Sequence, residues 1–195
     1  TFFSQYQVLN FVNSPSGSLE RIMLKQRVAT VGKRLVAVGP ILNITTFDDF
    51  GRRTVTMKDA RGSLHLVQGV TEVNSKYIKL ETLFTKTPII WETRLATSSM
   101  PTPILSKILK THLDMRNPDD RLKIVRLYMQ CERYREAMFE LQSAIEQFPE
   151  LANLKEQISQ LRQALADRLI EEIESRQRAG QHSRVYTWLD NFPSD

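Results

Sequence analysis

Between residues 21 and 83 apolar side chains recur at every second position in short runs: Ile22 and Leu24, Val36 and Val38, residues 41–44, Val55 and Met57, Leu64 and Leu66, Ile78 and Leu80. A period of two puts alternate side chains on opposite faces, so each run predicts a β-strand. The breaks are turn chemistry: Val31-Gly32-Lys33, Asp48-Asp49-Phe50-Gly51, Asp59-Ala60-Arg61-Gly62 and Val73-Asn74-Ser75. Five or more short strands at this spacing predict an antiparallel β-barrel or sandwich. Upstream, residues 5–12 read as a strand that adds to a sheet edge or to a separate element, joined by the flexible run Ser14-Pro15-Ser16-Gly17-Ser18.

Beyond residue 102 the period lengthens to that of helices. Leu154, Ile158, Leu161, Leu165, Leu169 and Ile173 are spaced by four, three, four, four and four, one apolar stripe along a long helix. About 26 residues of helix would extend roughly 40 Å, ending at Ala179 and Gly180, where glycine supplies the left-handed cap. Leu154, Ile158, Leu161 and Leu165 also fit a heptad seam, which Arg168 interrupts. Thr102 is placed to cap the first helix with Pro103 at its first position. Asn117 and Pro118 repeat that signal before Asp119 and Asp120, whose carboxylates suit a helix N-terminus. The expected architecture is α+β: a β domain over residues 1–96, a linker over 97–102, and about five helices within 103–195.

Within the helical half, Leu122, Ile124, Val125 and Tyr128 precede a turn at Cys131 and Glu132, and Tyr134, Ala137, Leu141, Ala144 and Pro149 follow it. This 34-residue unit resembles a tetratricopeptide repeat, in which two amphipathic helices close tightly through small residues. Arg121 stands at the family's tryptophan position and Val125 at a small-residue position. The same spacing also suits an ordinary helical hairpin with one apolar face. His182, Val185, Trp188, Leu189, Phe192 and Pro193 echo the start and close of the second helix, one turn shorter, as in a terminal repeat. The resemblance implies a C-terminal helical hairpin array that binds a peptide or a partner helix. It places the groove at Leu122, Arg126, Met129 and Gln130, and, shifted by the 48 residues between Glu132 and Gly180, at Ile170, Glu174, Gln177 and Arg178.

Composition narrows the alternatives. With 41% hydrophobic and 25% charged residues the chain can bury a core, and no run approaches the apolar length of a membrane span. The first residue is Thr1, which suggests a processed chain or part of a longer one. One cysteine, Cys131, excludes an internal disulfide and a multi-cysteine zinc site. His65, His112 and His182 show no metal-ligand spacing, the glycines form no phosphate-binding loop, and Asp48 with Asp49 offers too few oxygens for calcium. The expectation is a non-enzymatic scaffold or adaptor with no cofactor and a protein or peptide partner.

Charge suggests a second reading. Residues 1–100 carry 13 Lys/Arg against 7 Asp/Glu, whereas residues 101–195 carry 14 against 15. Arg52, Arg53, Lys58 and Arg61 cluster around two turns, with Phe47, Phe50 and Tyr77 nearby in sequence as stacking rings. That combination would let the β domain bind nucleic acid or another polyanion.

Overall fold

A computed structural model describes residues 19–35, 39–59, 62–86, 88–182, 185, 186 and 189. The strands expected at residues 5–12 and at Val36 and Val38, the joint at 14–18, Arg61, and most of the last helix, including Trp188, Phe192 and Pro193, lie outside the described residues. The chain divides into two compact units, one spanning Leu19–Cys131 and the other beginning at Glu132.

The first unit is built on a curled antiparallel half-barrel. Its strands are β1 (Arg21–Met23), β2 (Lys33–Arg34), β3 (Ile41–Ile44), β4 (Arg52–Asp59), β5 (Gly62–Asn74), β6 (Tyr77–Thr82), β7 (Ile89–Ile90) and β8 (Glu92–Ala96). The main sheet runs β3-β4-β5-β6-β8, and β1 also pairs with β5. Strand β5 is long enough to serve two partners besides β6: residues 62–69 pair with β4, and Glu72, Val73 and Asn74 pair with β1. A bulge between Val70 and Glu72 breaks its register with β6 and sharpens the local bend. Strands β2 and β7 form a separate two-residue parallel pair. At Gly32, φ is +140°, and an added Cβ would run into the Pro88 carbonyl, so glycine lets β2 approach β7.

The period-two pattern places Val55, Met57 and Leu66 in one cluster, against which Leu35, Leu64, Ile89 and Trp91 pack. Past Leu66 the alternation disappears, because nearly every residue of β5 is buried on both faces. The polar groups drawn in there are hydrogen-bonded: Gln68 donates to Thr93 Oγ1 at 3.0 Å, and Thr71 Oγ1 donates to Glu81 at 2.6 Å.

Two helices complete this unit, α1 (Thr102–His112) and α2 (Pro118–Gln130). Helix α1 begins at Thr102 itself, with Pro101 as the flanking residue, so the expected Thr102 cap is replaced by a start one residue earlier. Proline tolerates the first turn, where its missing N–H has no partner to lose. Helix α2 starts as the sequence predicts: the Asn117 side chain accepts from Asp119 N at 2.9 Å, and Pro118 follows.

The second unit contains α3 (Tyr134–Gln147), a 3-10 turn over Pro149–Leu154, and α4 (Lys155–Arg178). Four of the expected helices are thus described. Alanines 137 and 144 are fully buried with Leu141. Gly180 has φ +71°, its N–H reaches Gln177 O at 3.0 Å, and Gln181 N reaches Arg176 O at 2.9 Å. These two bonds satisfy carbonyls that the end of α4 would otherwise leave open.

Candidate functional site

The turn before β4 is organised by one carboxylate. Asp48 Oδ1 accepts from Phe50 N at 3.0 Å and from Arg52 N at 2.7 Å, and Asp48 N donates to Arg52 O at 2.9 Å. Its neighbour Asp49 is engaged by Lys107 at 2.7 Å. The turn therefore presents Phe50, 49% exposed, beneath the Arg52 guanidinium, 5.2 Å above the ring centre. Gln26 locks this arrangement: its Nε2 donates to Phe50 O at 2.6 Å, while its Oε1 accepts from Arg52 Nε at 3.1 Å. His112 Nε2 lies 3.0 Å from the same carbonyl, which it can reach as a donor in the tautomer carrying a proton on Nε2.

A second ring sits beside the residue that follows Gln26. Arg27 lies 4.6 Å over Phe84, which is 48% exposed, and Phe84 N donates to Arg27 O at 2.8 Å. The bridge between Val28 and Leu83 brings these distant segments together.

The basic residues singled out from sequence separate along β4. Arg52 and Lys58 are exposed and share one parity of the strand, whereas Arg53 has the parity of buried Val55 and Met57. Arg53 donates to Gln68 Oε1 at 3.1 Å and lies 5.0 Å over Phe47, and burial holds its guanidinium below its ordinary pKa. Tyr77 joins neither Phe47 nor Phe50. Arg94 lies 4.6 Å over its ring, and its hydroxyl donates to Glu72 at 3.1 Å. Gln26, Arg27, Phe84 and His112 escaped sequence reasoning, since no local pattern links residues up to 86 positions apart.

The groove residues implied by the repeat resemblance fall in different units, four in each. On α2, Leu122 is buried, Arg126 Nε donates to Glu20 at 2.7 Å, and Gln130 Oε1 accepts from Glu20 N at 2.7 Å. Met129 is half-buried. On α4, Ile170, Glu174, Gln177 and Arg178 are all exposed, and their spacing of four, three and one sets them on one helical face.

His65 is exposed and meets Thr56 across the strands at 3.0 Å, His182 is exposed, and Cys131 ends α2 with its Sγ 4.0 Å from Ser75 O. A cleft of about 370 Å³ sets Arg34 with Glu81 and Glu92 around Trp91. Among the described residues no cluster of three or more His, Cys, Asp or Glu could hold a metal, and no helix is long and apolar enough to cross a membrane. Comparison with protein-family models, curated proteins and solved structures found no significant match to this chain.

Proposed function

We propose that the chain is a non-enzymatic scaffold or adaptor that takes a peptide or a partner helix through its tetratricopeptide-like helical half, on the α4 helix of the second unit. The supporting observation is an apolar stripe that α3 covers only in part. Helix α4 has 24 residues and α3 has 14, so α4 is longer by about 15 Å. Glu132, just before α3, pairs with Arg168 at 3.1 Å, which matches the start of α3 to the fourteenth residue of α4. The last ten residues of α4 therefore run past α3. In keeping with that, Leu161 is fully buried, while Leu169 and Ile173 in the overhang are only half-buried; Ile170, 45% exposed, lies on the side of α4 away from Leu161.

A partner helix laid along this overhang would cover Leu169, Ile170 and Ile173, with Glu174, Gln177 and Arg178 as its polar rim. On α2 the chain's own Glu20 occupies Arg126 and Gln130, so the interaction surface contracts to α4. The test is affinity capture by the full chain from a lysate of its source organism, beside Ile170→Glu with Arg178→Glu. Partners held by the wild type should be lost from the variant, which should keep its circular dichroism spectrum. Recovery of the same partners by both proteins would refute the α4 surface.

A further inference from the structure

We propose that the basic unit binds single-stranded nucleic acid across two arginine-capped rings, Arg52 on Phe50 and Arg27 on Phe84. This goes beyond the protein-binding reading and stands on the other compact unit, so neither depends on the other. Three observations support it. First, residues 19–131 carry 19 Lys/Arg against 10 Asp/Glu, a net charge of +9, while residues 132–195 carry 8 against 12. The whole chain's +5 therefore understates the field around the sheet. Second, the two carboxylates nearest the first ring are engaged, Asp48 by two backbone amides and Asp49 by Lys107. Arg52 is exposed beside them, its Nε held by the neutral Gln26 side chain rather than by either carboxylate.

Third, two consecutive residues each hold one of the ring-bearing segments. The Gln26 side chain holds the Phe50 carbonyl, and the Arg27 backbone holds Phe84. Both rings are about half exposed, each beneath a guanidinium. A ring with one face taken by arginine still offers an edge, and the guanidinium plane itself stacks a base while its N–H groups reach a phosphate. A strand whose bases are free can use both features, whereas a duplex hides its bases and presents only phosphates. An anionic membrane would be better served by a continuous apolar patch than by rings covered by guanidinium groups.

The test is fluorescence anisotropy of the full chain with fluorescein-labelled dT20. Binding at 50 mM NaCl should saturate and weaken roughly 20- to 50-fold at 200 mM, the response expected for three to four phosphate contacts. Phe50→Leu with Phe84→Leu keeps charge and apolar bulk but removes the rings, and should weaken binding about ten-fold or more. Arg27→Gln with Arg52→Gln should weaken binding and reduce the salt slope by about 1.4. A dT20·dA20 duplex should bind less tightly than dT20. Absence of saturable binding at 50 mM, equal affinity of the ring variant and wild type, equal affinity for the duplex, or binding to 4:1 phosphatidylcholine–phosphatidylserine vesicles but not to dT20 would each overturn the proposal.

Discussion

Glu72 shows how one residue can join strands that are distant in sequence. Its side chain is almost fully buried in β5, yet it accepts from Arg21 at 2.6 Å, Tyr77 at 3.1 Å and Asn74 at 3.2 Å, tying β1 and β6 to β5. Burial works to raise its pKa, but the hydrogen bonds from Arg21, Tyr77 and Asn74 together outweigh burial, and the carboxylate sits below its ordinary value. A carboxylate depressed by folding contributes stability above its unfolded pKa and loses it as the pH falls through the folded value. Glu72→Gln should therefore cost about 1–2 kcal/mol at pH 7, and the gap from wild type should narrow below about pH 4. Urea denaturation at pH 7 and at pH 3.5 checks this; an equal gap at both values would mean that the carboxylate's charge is irrelevant.

Among the elements, α4 was the most legible in sequence, and the extent of its burial was the least. The stripe from Leu154 to Ile173 and the glycine at 180 define a long helix with an abrupt end, and the observed Lys155–Arg178 agrees within a turn. Periodicity does not say how far along that stripe a neighbour extends, which depends on the length of α3. Leu161→Ala should cost about 2–5 kcal/mol, because that side chain is fully enclosed. Leu169→Ala, half-buried beyond the end of α3, should cost about 1 kcal/mol or less. Equal losses in thermal denaturation would mean that α4 is filled along its whole length. Strands β7 and β8 escaped the sequence pattern for the opposite reason: Ile89–Ile90 is too short for a period, and Glu92–Ala96 has one large apolar residue, Leu95. They exist because β6 offers β8 a ladder and β2 pairs with β7.

Across the whole molecule, charge follows the compact units more closely than it follows the two sequence halves. The excess of Lys/Arg extends through α1 and α2 to Cys131, while residues 132–195 are net acidic. At pH 7 the chain should be held on a cation exchanger chiefly through residues 19–131. Arg94→Glu, in that unit, should elute earlier than Arg162→Glu, since a reversal within a like-charged field removes more of the local potential. Coincident elution of the two variants would show that only total charge governs retention.

Local chemistry in the sequence was enough to determine the mixed α+β class, the cap at Asn117, the turn at residues 48–51 and the left-handed end of α4, because each depends on neighbours within a few positions. Tertiary structure alone decided the rest. The pleat of β4 separates Arg52 from Arg53, the length of α3 leaves Leu169 only half-buried, and the bridge between Val28 and Leu83 sets Arg27 over Phe84. Each outcome depends on which strand or helix arrives from far along the chain, and pairing across such separations leaves no periodic trace in the residues that make it.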